Sequence, residues 1–327
     1  MRRRDLLAGT AALAAAPALP ALAQGAGDWP SHAIQMVVAF PPGGQADVTA
    51  RPVAAALERI LRQPVPVVNQ AGAGGIIGTA RVARAPADGY TALMALSSLA
   101  MLPESERLQG RTPAYTVDQL APVARITADP TVLVVPAASP WRSVAELVAD
   151  AKARPGAITF GSAGNYSTLH VAMAMFTGAA GIDLLHVPFQ GGGPALTAML
   201  SGTLDTLASG PGPALSQVRD GRLRALASWG RERTPGFEEV PTFLELGFAE
   251  VEFYIWTALL VPAATPAAIR EKLRAATRQA CDDPDLQRAL TAAGSPVAFQ
   301  DGEALERFLR DDSARLVRAV QRIGKVD

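Results

Sequence analysis

From residue 34 onwards the chain alternates short apolar runs, glycine-rich turns and apolar stripes of helical spacing. Residues 34–40 read as a buried strand that ends at Pro41, Pro42, Gly43 and Gly44. Val53, Leu57, Ile60 and Leu61 then mark one face of a helix. Residues 65–68 predict a second strand, followed by the glycine-rich stretch 71–78 and another helix. Asp88 and Gly89 make a turn ahead of a third strand over 90–96. The middle third repeats this order. A strand over 132–135 precedes a helix opened by the capping pair Ser143 and Glu146 and closed by Pro155 and Gly156. Residues 158–160 run into Gly161, Ser162, Ala163 and Gly164, and a helical pattern continues to Met175. A strand over 182–187 leads to Gly191, Gly192, Gly193 and a helix over 194–200, and a strand over 223–228 closes the set. Residues 253–261 predict a long strand returning to the first lobe. Helices follow at Thr265 with Pro266, at Asp283 with Pro284, and along the stripe Leu305, Phe308, Leu309, Leu316, Val317, Val320 and Ile323. Strands alternating with helices define an α/β protein. Two crossings are expected between lobe 1, residues 24–125 plus 245–327, and lobe 2, residues 126–244.

The first residues follow a different pattern. Arg2, Arg3 and Arg4 precede an alanine-rich apolar stretch over 6–16, Pro17 and Pro20 interrupt it, and Ala21, Leu22 and Ala23 supply a small-x-small cleavage pattern. Residues 1–23 therefore read as a signal peptide cleaved after about Ala23, and Arg3, Arg4, Asp5, Leu6 and Leu7 resemble a twin-arginine signal. A periplasmic location is expected. The 30 basic and 30 acidic residues, less Arg2, Arg3, Arg4 and Asp5, leave 27 and 29, a mildly acidic mature chain. That balance argues against nucleic acid as a partner, because phosphate binding needs a basic excess. Cys281 is the only cysteine, so neither an internal disulfide nor a cysteine-rich metal site can form.

The candidate chemistry lies where glycines join strands to helices. Phe40, Gly43, Gly44, Gln45, Ala46 and Asp47 occupy one such junction, and Ser162, Ala163, Gly164, Asn165, Ser167 and Thr168 another. A helix start leaves N–H groups unpaired and carries about half a positive charge, so it accepts a carboxylate without a basic side chain. Asp47 also reads as the N-cap of its helix, and His170 as a packed or capping ring. A serine hydrolase using Ser162 and His170 is one rival, although neither HExxH nor GxSxG occurs. A nicotinamide enzyme is another. Its glycine fingerprint from Gly72 fails at Ile77, and Ser97, Ser98 and Leu99 stand where an acid would hold the ribose.

Several motifs in order resemble the Bug family of periplasmic solute receptors of tripartite tricarboxylate transporters. They are Phe40 to Gly44 with Asp47, Asn69 to Gly75, Ala83 to Tyr90, Gly161 to Asn165, His186 to Gly191, and Val261 to Pro266. The resemblance implies a two-lobed periplasmic binding protein fold, type II-like, a Venus flytrap that closes on an organic carboxylate. The guest would be a di- or tricarboxylate or an acidic amino acid. No catalytic residue, cofactor or metal is implied. A monomer is expected, with membrane transporter subunits or a sensor kinase as partners. The ligand-binding positions it implies are Phe40, Pro42, Gly43, Gly44, Gln45, Ala46 and Asp47 in one lobe. In the other they are Ser162, Ala163, Gly164, Asn165, Tyr166, Ser167, Thr168 and His170, with Ser97, Ser98, Gly191 and Gly192 beside the cleft. Tyr166 stands where the family commonly has glycine, so its ring is expected to intrude on the ligand turn. Ser209 stands where aspartate is frequent.

Overall fold

The computed structural model describes residues 29–326, so the leader reading lies outside the described residues. The chain begins β1 (Gln35–Val38), α1 (Gln45–Leu61), β2 (Val67–Asn69), α2 (Ile76–Ala83), β3 (Thr91–Leu96), α3 (Ser98–Leu108) and β4 (Leu120–Pro130). It continues β5 (Val132–Pro136), α4 (Val144–Ala153), β6 (Thr159–Ser162), α5 (Thr168–Ala180), β7 (Leu185–Pro188), α6 (Gly192–Leu200), β8 (Thr206–Ser209), α7 (Pro211–Arg219) and β9 (Leu223–Ser228). It ends β10 (Tyr254–Pro262), α8 (Ala267–Asp282), α9 (Pro284–Ala292), β11 (Gln300–Asp301) and α10 (Gly302–Ile323).

These strands form two sheets, ordered β11-β4-β10-β3-β1-β2 and β7-β6-β8-β5-β9. Each sheet has a parallel trio, β2-β1-β3 in one and β7-β6-β8 in the other. An antiparallel strand arriving from the other lobe flanks each trio, β10 beside β3 and β5 beside β8. A local strand, β4 or β9, then pairs with that newcomer. The lobes thus share one strand order and exchange one strand each. Every strand of the two trios except β7 and β2 is almost wholly buried, as expected of parallel strands covered by helices on both faces.

Three details depart from the sequence reading. The first crossing was expected near residue 125, but β4 runs unbroken past it to Pro130, and the chain changes sheets at Thr131. Pro122 and Pro130 make this segment read as a loop. Pro122 pairs beside a register shift between Leu259 and Leu260, the irregular position at which a sheet accepts a residue without an N–H. The C-terminal segment 245–327 does not belong to lobe 1 alone. Leu305 and Leu309 of α10 pack in the first core, whereas Leu316 and Val320, about two turns on, pack in the second. Val251 and Phe253 also join the second core. One amphipathic helix therefore spans both lobes. Finally, α3 forms despite Pro103, with Leu99 and Leu102 in the first core and Met101 in the second.

Candidate ligand-binding cleft

The junction between β1 and α1 is held from behind. Gly44 is the N-cap of α1, and Asp47, three residues on, accepts from the Gly43 N–H at 3.1 Å. Asp47 also accepts from Arg51 Nε at 2.9 Å, Arg51 Nη2 at 2.8 Å and Asn69 Nδ2 at 2.9 Å. Burial alone would raise its pKa, but these hydrogen bonds outweigh burial and hold it below the ordinary carboxyl value. Asp47 is thus neither the N-cap nor open to a guest. Asn69 completes the clamp by donating to the Phe40 carbonyl at 3.0 Å. The first intrahelical bonds come from Asp47 N and Val48 N to Gly44 O, so the Gln45 and Ala46 N–H groups precede the ladder.

The junction between β6 and α5 is held in a similar way. Gly164 adopts φ +117°, a conformation that favours glycine. The Ser162 hydroxyl accepts from Gly164 N at 3.1 Å and lies 2.7 Å from His186 Nε2. Ser167 is the N-cap of α5, its oxygen accepting from His170 N, and His170 Nδ1 accepts from Tyr166 N at 3.0 Å. The rings of His170 and His186 stack at 4.3 Å. Burial, and for His170 the neighbouring ring, lowers their pKa values to about 3 and about 4. Ser162 therefore pairs with His186, not with His170 as the hydrolase reading required. A ring titrating near 4 is a feeble general base at neutral pH.

Tyr166 faces away from the cleft. Its buried hydroxyl donates to Gly324 O at 2.9 Å and accepts from Val326 N at 2.8 Å, which ties down the C-terminal tail. The ring does not intrude on the ligand turn.

Between the lobes lies a narrow cavity of about 20 Å³, partly continuous with solvent, so the lobes are drawn close together here. Of the expected contacts, Phe40, Gly44, Gln45, Ala46, Ala163, Thr168 and Gly192 line it. Pro42, Gly43, Asp47, Ser162, Gly164, Asn165, Ser167, His170 and Gly191 shape the turns behind this lining or the contact between lobes. Ser97 and Ser98 are buried one and two residues beyond the lining residue Leu96, and the Ser97 hydroxyl has no hydrogen-bond partner among the described residues. Sequence reasoning missed Leu96, Leu169, Gly210, Pro213 and Ile255, and singled out Ser209 only as a departure from the family pattern, without placing it in the lining. Pro211 at the first position of α7 is a readable helix-start signal beside Gly210, but Ile255 inside a long apolar run carries none.

Four helix starts reach this cavity: α1 from one lobe, and α5, α6 and α7 from the other. No lysine, arginine, aspartate or glutamate lines it. The lobes also touch through backbone. A Cβ at Gly193 would lie 2.5 Å from the Pro42 carbonyl oxygen, and one at Gly164 would lie 3.3 Å from Gly74 Cα. The glycine-rich stretch weighed as a dinucleotide fingerprint is thus an interlobe contact at Gly74. Gln45 bridges the lobes through its amide. Its Nε2 donates to Asp129 at 3.1 Å and Ser295 at 2.8 Å, and its Oε1 accepts from Gly212 N of α7 at 3.2 Å. Among the described residues no group of histidine, cysteine and acidic side chains is placed to hold a metal ion, and no helix is long and apolar enough to cross a membrane.

Two lobes of one strand order, joined by exchanged strands around a cleft, define a periplasmic-binding-protein fold. The chain belongs to the tripartite tricarboxylate transporter receptor family, whose model matches residues 49–325. It is 34% identical to Protein BugT of Bordetella pertussis, the match covering 90% of this chain and 90% of BugT. Among solved structures it is similar to the periplasmic binding protein BugD, with 26% identity, a TM-score of 0.85, and 91% of this chain and 100% of that one covered. It is also similar to MatC from Rhodopseudomonas palustris with bound malate, with 28% identity, a TM-score of 0.83, and 89% and 100% covered.

Proposed function

We propose that this protein is an exported solute-binding protein that captures a small organic carboxylate between its lobes and delivers it for uptake or sensing. Capture is reversible, with no bond made or broken. The observation that carries this reading is the meeting of four helix N-termini, drawn from both lobes, on one cavity without a charged side chain. The starts of α1, α5 and α6 present N–H groups and a fractional positive charge, so a carboxylate is neutralised by backbone alone, while α7 adds only its dipole because Pro211 and Pro213 lack an N–H and the Gly212 N–H is taken by Gln45. Closure then follows from differential affinity, because a guest touching both α1 and α5 stabilises the closed form over the open one. Malate in the related MatC supports a carboxylate as the guest class. Membrane transporter subunits or a sensor kinase are the expected partners of the closed form. The reading of residues 1–23 as a leader cleaved after about Ala23 supports a periplasmic location for the mature chain.

Thermal unfolding with mono-, di- and tricarboxylates tests this reading. A true ligand at a hundred times its Kd adds about 2.7 kcal/mol, a rise of roughly 3–8 °C for a chain of this size. No rise with any carboxylate contradicts it.

A further inference from the structure

Tyr166 sits inside the β6–α5 turn, between Asn165 and Ser167. A Cβ on Gly74 of the other lobe would lie 3.4 Å from the Asn165 carbonyl oxygen, and Ser167 is the N-cap of α5. The φ of Tyr166 is +57°, which makes it one of three non-glycine residues with positive φ among the described residues. In that region the Cβ crowds the carbonyl that follows, so a bulky residue stays there only where its surroundings hold it. Here they do so at three points. The backbone N–H donates to His170 Nδ1 at 3.0 Å, the ring meets the His170 ring edge-on at 5.8 Å, and the hydroxyl is held by the residues after α10. Gly324, at φ +71°, ends α10 and turns the chain. Its carbonyl then accepts from the Tyr166 hydroxyl at 2.9 Å, and the Val326 N–H donates to the same hydroxyl at 2.8 Å. The Val326 side chain packs on the second core. Upstream, α10 is itself pinned midway: Asp312 accepts from Trp256 Nε1 at 2.7 Å, and Arg315 Nη1 donates to the Glu252 carbonyl at 3.1 Å.

We infer that Tyr166 is a positioning residue for the ligand turn and that residues 324–326 are the strap that holds it. The end of α10, 158 residues away in sequence, thereby sets the order of the turn. The inference rests on the carboxylate reading above for what the turn does once ordered. Both partners pack in the second lobe, so the strap stays fastened whether the lobes are open or closed. Without it, nothing beyond the His170 contacts keeps Tyr166 in the left-handed region, and the start of α5 loses its fixed direction. A turn already ordered loses less freedom when a guest settles on its N–H groups, so the strap favours capture.

Hydrogen exchange read by mass spectrometry, on the intact mature protein without any guest, tests this in two variants. Tyr166→Phe deletes the hydroxyl and keeps the ring, and a chain shortened to end at Gly324 deletes the Val326 N–H. Exchange of the amides in 164–170 is expected to quicken by about tenfold or more in Tyr166→Phe, which loses both hydrogen bonds, and by about threefold or more in the shortened chain, which loses one. Exchange in α1 and β10 is expected to stay as it was. Unchanged exchange over 164–170, with a rise confined to the end of the chain, would overturn the inference, and so would a rise spread evenly over the second lobe. Should Tyr166→Phe fail to fold, the shortened chain decides alone. A failed carboxylate screen refutes the reading of the cleft and leaves the strap, whereas unchanged exchange refutes the strap and leaves that reading.

Discussion

Asp47 and Asp129 are both buried carboxyls beside α1, yet their surroundings drive them in opposite directions. Asp47 receives hydrogen bonds from a guanidinium, an amide and a backbone N–H, and stays ionised. Asp129 is pushed up to about 7 by burial, which the Thr127 and Ser295 hydroxyls and the Arg125 charge only partly offset. The sign of the pH effect follows. Below about 3.8 the Asp129 carboxyl is neutral whether folded or unfolded, so it costs nothing. Between about 3.8 and 7 the folded state holds the proton more tightly, and stability falls as pH rises through that window. Asp129→Asn is therefore expected to raise thermal stability more at pH 8 than at pH 5, by about 2 kcal/mol between the two. Equal shifts at both pH values in thermal melts would contradict this. The sequence marked Asp47 as a capping residue, and its bond to Gly43 is close to that role. It could not show which way the Tyr166 ring turns, because that depends on Gly324 and Val326, some 160 residues away.

Helix starts were the most readable elements, since glycine, proline and short hydroxyl side chains mark them locally. The turns before α1, α5 and α6 were all singled out from such residues, and those same turns reach the cavity. Strand β4 and helix α3 were not readable. Pro122, Pro130 and Pro103 each signal a break, and tertiary pairing with β10 or packing of both helix faces overrides that local signal. The element α6 supports a sharp test. Gly193 lies in its first turn, where alanine is the better helix former by about 1 kcal/mol. A Cβ there would lie 2.5 Å from the Pro42 carbonyl oxygen of the other lobe, so it opposes the interlobe contact seen here. Gly193→Ala should therefore leave the ligand-free melting temperature unchanged or slightly higher, while weakening carboxylate binding about tenfold or more, as read by titration calorimetry. A fall in stability matching the loss of binding would mean that the glycine serves folding rather than closure.

At the scale of the whole molecule, the two lobes repeat one strand order and each lends the other a strand. The alternation of strands and helices made that architecture visible from sequence. The exact crossing points and the reach of α10 across both cores were not, because they depend on long-range packing of Leu316 and Val320. Gln45 and the glycine contacts join the lobes around the cavity and α10 spans both cores, so under the proposed reading closure and anion capture are one event. The most direct test is a crystal structure of the protein with the tightest-binding carboxylate from the panel. The account predicts acid oxygens within about 2.7–3.2 Å of the Gln45 or Ala46 N–H groups and of the Thr168 or Leu169 N–H groups at once, the range of ordinary N–H···O bonds. A guest bound outside the cleft, or one whose acid group is paired with an arginine guanidinium, would contradict it.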